Sequence, residues 1–188
     1  GSDFPVVTNL FGTRRRIDLA FGSKPLEFVK RAVHAAENLL PPKLGKLWEY
    51  RDLAVSAAKF GTKQTRSAPV LESRQSTVDL EKLPLLQLRH EDGGHFVTLP
   101  LVYTESPSDG KHNLGMYRIQ RYNKQTTGIH WQIGKGGGFH YYEAEQRNES
   151  LPVTIFLGGA PAMMLSAIAP LPEGLPELML ASLLAGEK

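Results

Sequence analysis

Apolar positions recur every three or four residues between residues 24 and 40, which predicts an amphipathic helix with one apolar face. Ser23 is a suitable N-cap for this helix, and Pro41-Pro42 ends it. A second, weaker helical pattern covers residues 47–60 and closes at Gly61. The pattern therefore predicts two helices in the first third of the chain.

The segment before these helices has a different pattern. Residues Phe4–Gly12 alternate in a way that predicts a short strand ending in a turn. The basic run Arg14-Arg15-Arg16 is interpreted as a solvated turn after that strand. The less favoured alternative is an arginine facing a phosphate, which arginine binds bidentately.

Residues 61–82 are polar and loop-like, and we place a domain boundary there, with domains at 1–66 and 67–188. Beyond this boundary the chain becomes rich in β-branched and aromatic residues separated by turn residues. Hairpin-sized connections predict an antiparallel or barrel-like sheet. The predicted strands are Phe96–Thr104, Leu114–Tyr122 and Gly128–Ile133.

The last third of the chain alternates between helix and strand. Residues Phe139–Asn148 are predicted as a helix, Val153–Leu157 as a buried strand and Pro161–Ala169 as a short helix with proline in its first turn. Residues Leu175–Leu184 form a final helix that is almost wholly apolar, so we expect it to need a partner surface and the chain to form an oligomer.

Composition narrows the classes of function. The chain has 188 residues, 41% of them hydrophobic, which fits one domain or one domain with part of a second. The absence of cysteine excludes disulfides, zinc–thiolate sites, iron–sulfur clusters and cysteine nucleophiles, and fits a reducing cytoplasm. The apolar runs are too short to predict a membrane span. The net charge of +3 has no basic face behind it, so nucleic-acid binding is not favoured.

Three groups of residues carry candidate chemistry, each with an ordinary structural alternative. Glycines 134–138 with Lys135 could approach a phosphate, or form a flexible turn. Asn113 and Arg118 lie on opposite faces of a regular strand, unless Gly115 forms a bulge, and could equally be a loop Asn and a surface Arg. Glu173 and Glu177 could present a carboxylate to a metal or cofactor, or simply favour a helix start.

The histidines do not have the spacing of a classical zinc hydrolase, since no His-x-x-x-His or His-Glu-x-x-His motif is present. His130 lies in an apolar-aromatic strand and His140 beside two tyrosines. Histidines in such positions are more often packed and hydrogen-bonded than metal ligands.

Taken in order, several segments resemble the UbiD family of prenylated-FMN-dependent decarboxylases, and Asn113–Gln120 (NLGMYRIQ) is the most specific of them. The resemblance implies an α+β fold, in which part of an α/β domain precedes a split β-barrel that binds flavin. The other segments are Phe4–Arg15, Glu91–Thr98, Gly128–Trp131, Pro161-Ala162 and Pro170–Gly174 with Glu177.

The resemblance also implies roles for individual residues. Asn113 and Glu177 match metal ligands, and Arg118 matches a catalytic residue that faces the substrate carboxylate. The implied cofactors are prenylated FMN or FMN and Mn²⁺, with K⁺ as a further candidate. The implied partners are a carboxylic acid substrate, further copies of the chain and an enzyme that produces the prenylated flavin. The matched cofactor-binding residues are Met116, Tyr117, Arg118, His130, Trp131, Gln132, Lys135 and Gly136.

Two departures from the family pattern modify this expectation. Gly134 stands where the family has a third metal ligand, a histidine, so we expect a weakened or rearranged metal site, with His130 or His140 as substitutes. The family's proton-transfer glutamates lie in sequence that would follow Lys188. We therefore expect this chain to be a fragment or one subunit of a split enzyme, and to be inactive alone. The alternative is a non-catalytic flavin-binding or assembly subunit.

Overall fold

The structure is a computed structural model that describes residues 3–22, 30, 61–132, 134–171 and 176–185. The helices predicted over residues 24–40 and 47–60 lie outside the described residues. Helix α1 covers Arg14–Phe21, and its first turn is capped by Thr13, whose hydroxyl accepts a hydrogen bond from the Arg16 N–H at 3.3 Å.

The N-terminal segment corrects two predictions. Residues Phe4–Gly12 form no strand, because the segment is not paired with any described strand and turns back on itself through Gly12 N–H to Asn9 O at 3.0 Å. The arginine run is the first turn of α1 rather than a turn after a strand. Arg16 donates to the backbone oxygen of Asn9 at 2.6 Å, so this arginine closes the turn before its own helix.

The described strands form two antiparallel sheets of three strands each. The first has the order β1–β4–β5, and the second has the order β3–β2–β6. No closed barrel is detected among the described residues, so the split barrel stays a prediction. The strands are β1 (Phe96–Val97), β2 (Pro100–Glu105), β3 (His112–Met116), β4 (Ile119–Arg121), β5 (Thr127–Ile129) and β6 (Val153–Leu157).

Two of the predicted strands are each divided between the sheets. The prediction Phe96–Thr104 breaks at residues 98–99 and Leu114–Tyr122 breaks at residues 117–118, so each contributes one strand to each sheet. The pairing of β2 with β3 is continuous through Gly115, which faces Val102, so the bulge considered at this glycine is not found. β-propensity gave the strand content correctly and could not show the change of sheet.

Three further helices cover the faces of the second sheet. Helix α2 covers Gly136–Gln146, α3 covers Pro161–Ile168 and α4 covers Glu177–Ala185. Helix α2 packs on β2 and β3, and α3 also packs on both strands. Two groups of buried residues hold these layers together: Leu101, Leu114 and Met164, and then Val102, Tyr117 and Ile119.

Exposure of the last elements differs from the prediction. Strand β6 was predicted to be buried, but it is an edge strand whose five residues are all exposed, Ile155 by 41% and Leu157 by 52%. The apolar helix α4 has its partner within the chain, because it packs on α3 and buries Ala181 and Leu184. The unpartnered apolar surface therefore lies on β6 rather than on the final helix.

Candidate active site

Tyr117 joins three of the sequence segments that were predicted to bind a cofactor. It follows β3, is 3% exposed, and its hydroxyl oxygen accepts a hydrogen bond from the Gly137 N–H at 3.0 Å. Its ring meets the Trp131 ring edge-on, with centroids 5.0 Å apart, and Lys135 Nζ lies 5.8 Å from the Tyr117 centroid. The fold thus brings Tyr117, Trp131 and Lys135 together.

The glycine run is sterically required by its neighbours. A Cβ atom on Gly136 would overlap the Asn113 side chain, and one on Gly137 would lie 2.8 Å from Trp131 Cζ3. A Cβ atom on Gly138 would lie 2.6 Å from the backbone oxygen of Gln132. These glycines therefore let the start of α2 approach the sheet, which is a packing reason that the sequence did not reveal.

Gly134 is different from the glycines that follow it. It has a φ of 85°, which favours glycine, and no atom lies within 4 Å of the position of a Cβ. A side chain here would have space but a strained backbone. Lys135, the next residue, is exposed. The only side-chain charge within this run therefore stands at an open position.

Asn113 and Glu177 lie next to each other although 63 residues separate Glu177 from Leu114. The Glu177 carboxylate accepts a hydrogen bond from the Leu114 N–H at 3.2 Å, which places the first residue of α4 beside Asn113. Asn113 is 8% exposed and its Nδ2 is buried without a hydrogen-bond partner. A buried amide donor without a partner costs about 1–3 kcal/mol, which is typical of a group kept for a ligand.

Thr104 and His140 complete this polar cluster. Thr104 lies opposite Asn113 in the β2–β3 ladder, and its hydroxyl oxygen is 2.9 Å from His140 Nδ1. Burial lowers the pKa of His140, against the opposing effect of the negative charges on Glu143, Asp109 and Glu177. Sequence reasoning missed Thr104, whose signal was only its place in an alternating strand.

The Tyr117 hydroxyl is held in its neutral form. Burial raises its pKa, and the charge of Glu177 adds to this effect. The Gly137 N–H and the nearby Asn113 amide oppose the rise, although this amide makes no hydrogen bond. Tyr117 can therefore donate a proton in a hydrogen bond to an acceptor such as a phosphate oxygen.

We expect the stability of the fold to fall with acidification because of His140. A base whose folded pKa is lowered contributes stability above its unfolded pKa, about 6.5, and loses that contribution as the pH falls below it. Urea unfolding at about pH 7.5 and about pH 5.5 should show a larger loss for the parent chain than for His140→Gln. The exposed His130→Gln is the control and should behave as the parent. Equal losses in the parent and His140→Gln would contradict the assignment.

The other predicted site residues lie apart from this cluster. Met116 packs against the core of Leu101, Leu114 and Met164. Arg118 is 44% exposed on its side chain and pairs with Asp92 at 3.0 Å. His130 and Gln132 are exposed. Asn113 is buried rather than in a loop, and the consecutive residues Met116, Tyr117 and Arg118 enter three different environments.

Asp92 is a residue that sequence reasoning did not single out. The hydrogen bond from Arg118 lowers the pKa of its carboxyl, and the N–H groups of Arg89 and Leu88 add to that effect. The sequence Glu91-Asp92-Gly93-Gly94 indicated only a turn.

The donor set suits a phosphate better than a metal ion. Asn113 and Glu177 offer two oxygens, but Gly134 offers no ligand, and the described part of the chain contains no group of three His, Cys, Asp or Glu that could hold a metal. A flavin phosphate fits the unpaired Asn113 amide and the open Lys135 ammonium, which are both donors. No helix among the described residues is long and apolar enough to cross a membrane.

Comparisons with known proteins agree with this geometry. A family profile described as the 3-octaprenyl-4-hydroxybenzoate carboxy-lyase Rift-related domain matches residues 62–188, and the N-terminal domain of the same family matches residues 1–36. A protein of Chlamydia pneumoniae named as a subunit of 4-hydroxybenzoate decarboxylase is 51% identical over 188 residues, which are 100% of this chain and 32% of that protein. The chain thus spans about a third of the length of the curated relatives it matches.

Solved structures give the same answer. The UbiD-class enzyme HmfF from Pelotomaculum thermopropionicum, in complex with FMN, is 25% identical with a TM-score of 0.63, over 73% of this chain and 32% of that one. Vanillic acid decarboxylase of Sedimentibacter hydroxybenzoicus, in its closed form, is 26% identical with a TM-score of 0.63, over 73% of this chain and 31% of that one. From its matched domains and its neighbours, the chain belongs to the UbiD family of decarboxylases.

Proposed function

We propose that this chain is the flavin-binding portion of a decarboxylase that acts on aromatic or α,β-unsaturated carboxylic acids through prenylated FMN. The observation that carries the proposal is the buried, unpaired amide of Asn113, which lies beside the Glu177 carboxylate and the start of α2. Support comes from the neighbours whose structures contain prenylated FMN or FMN. The division into domains at 1–66 and 67–188 and a cytoplasmic location belong to the same proposal.

In this proposal the residues around Tyr117 hold the cofactor. Lys135 and the Asn113 amide bind the phosphate, and the Tyr117 and Trp131 rings form the wall beside it. His130, Gln132 and Gly136 line the remaining contacts, and Met116 supports the wall from the core side. The chemistry that prenylated FMN supplies in such a site is an electron sink for the loss of CO₂.

Arg118 has a separate role in this proposal. Its guanidinium binds the carboxylate of the substrate, because planar guanidinium and carboxylate groups form paired, charge-assisted hydrogen bonds. Its side chain is 44% exposed, so donors remain open to a ligand. Mn²⁺ and K⁺ are no part of this proposal, since Asn113 and Glu177 lack a third side-chain ligand among the described residues.

A second candidate function is a flavin-binding or assembly subunit that needs a partner chain for turnover. The chlamydial relative, which is named as one subunit of a decarboxylase, and the neighbour named as the CD form of vanillic acid decarboxylase favour it. Strand β6 offers a surface for such a partner or for a second copy, because Ile155 and Leu157 are exposed at a sheet edge. A prenyl-flavin-producing enzyme is the further partner that the cofactor requires.

The proposal predicts that Lys135→Ala weakens FMN binding about tenfold. A hydrogen bond between charged groups contributes roughly 1.5–3 kcal/mol, and exposure of Lys135 places its effect near the lower value. Calorimetric titration of FMN into the parent chain and the variant measures the change. Lys124→Ala is the matched control, because Lys124 is an exposed lysine that lies 3.7 Å from Glu81. Equal FMN affinity of parent and Lys135→Ala would contradict the proposed phosphate site.

A further inference from the structure

Arg118 is held from two sides by residues outside the cofactor cluster. Its Nη2 lies 3.0 Å from Asp92 Oδ2, and its guanidinium carbon lies 3.6 Å from the centroid of the Phe96 ring. The first contact fixes one edge of the guanidinium, and the second fixes its plane. With 44% of the side chain exposed, the opposite edge remains accessible.

Asp92 is itself fixed by the backbone around it. Its Oδ2 accepts hydrogen bonds from the Leu88 and Arg89 N–H groups, each at 3.2 Å, and its side chain is only 13% exposed. The turn that carries it is also tied to β4, because Gln120 Nε2 donates to Gly93 O at 2.8 Å. Asp92 therefore cannot follow a moving arginine, and the arginine is held where Asp92 stands.

We propose that Asp92 is a positioning residue that holds the Arg118 guanidinium ready for the carboxylate of the substrate. Arginine carries several N–H donors, so a pair with Asp92 through Nη2 leaves donors for a second carboxylate. A free arginine loses much rotamer freedom when it binds, whereas one already held by Asp92 and Phe96 loses little. The inference rests on the proposed function, which gives Arg118 its carboxylate ligand.

The test is titration of 4-hydroxybenzoate, and of its neutral amide, into the FMN-loaded chain. Asp92→Asn keeps an oxygen for the Leu88 and Arg89 N–H groups but removes the charge that holds Arg118. We expect affinity for the carboxylate to fall about tenfold, with FMN affinity, thermal midpoint and the weak binding of the amide unchanged. Phe96→Leu loosens the guanidinium while Asp92 stays in place, and should lower carboxylate affinity about threefold.

Asp109→Asn is the matched control. Asp109 also pairs with a cation, Lys111 at 2.7 Å, and also accepts a turn N–H, but it lies in the turn between β2 and β3. This variant should bind 4-hydroxybenzoate as the parent does. Nuclear magnetic resonance of the Arg118 Nε–H group supplies a signature that a purely structural role would not move: a rigid group in the parent and a mobile one in Asp92→Asn.

The outcomes separate the inference from the proposed function. If Arg118→Gln loses the carboxylate while Asp92→Asn binds it as tightly as the parent, or more tightly, the inference is wrong and the proposed function stands. A fall in thermal midpoint and FMN affinity with Arg118 still rigid would show a structural role and also overturn it. If Arg118→Gln binds like the parent, or the parent binds no aromatic carboxylate, the proposed function fails, and mobility of Arg118 alone then decides whether Asp92 holds it.

Discussion

Leu101→Ala is expected to lower the free energy of unfolding by about 3–4 kcal/mol, the larger part of the stability of many domains. Leu101 is 0% exposed on the central strand β2, where it packs against Leu114 and Met164. Alanine would leave a cavity that the strands on both sides cannot fill. Urea unfolding of parent and variant measures the difference.

Leu157→Ala is the matched control for this prediction. Leu157 belongs to the same sheet but lies on the edge strand β6 and is 52% exposed, so the same substitution should cost less than about 1 kcal/mol. A comparable cost for both variants would mean that β6 is covered in solution and that the sheet continues beyond it.

Tyr117→Ala is expected to cost about 3–5 kcal/mol and to abolish FMN binding. The side chain is 3% exposed and connects β3, Trp131 and the start of α2, so its loss opens the predicted cofactor site as well as the core. Tyr117→Phe keeps the ring and leaves the buried Gly137 N–H without its acceptor, which should cost about 1–3 kcal/mol.

Thermal or urea unfolding and FMN titration of both variants test this second prediction. Tyr142→Phe is the control, since Tyr142 lies on α2 but is 58% exposed, and should change stability by less than about 0.5 kcal/mol. If Tyr117→Phe is as stable as the parent, water or another group satisfies the Gly137 N–H, and the hydroxyl does not join α2 to the sheet.

Local patterns predicted the elements whose signals lie within a few residues. Strand β6 has the bounds Val153–Leu157 that its apolar run predicted, and α3 begins at Pro161 as expected of proline in a first turn. Helix α2 begins at Gly136, three residues before the predicted Phe139, because glycines disfavour a helix by propensity and are kept here by contacts with Asn113 and Gln132. Such contacts are invisible in a single sequence.

The candidate site shows the same limit. The family resemblance named Asn113, Tyr117, Lys135 and Glu177, and the structure places them around the start of α2. Their roles stay predictions. Neither the resemblance nor the spacing pointed to Thr104 or Asp92, since both act through partners that are distant in the chain: His140 for the first and Arg118 for the second.

The sequence by itself determined the family, the α+β content and the type of most elements in its second half, because motif residues and periodicity are local properties. Only the tertiary structure decided which sheet each strand joins, where the chain breaks at residues 117–118, and that β6 is an exposed edge rather than a buried strand. These features depend on which surfaces meet, and burial at a given position is the sum of contacts from elements far apart in the chain. The same reason explains why the carboxylate beside Arg118 belongs to Asp92, 26 positions earlier in the sequence.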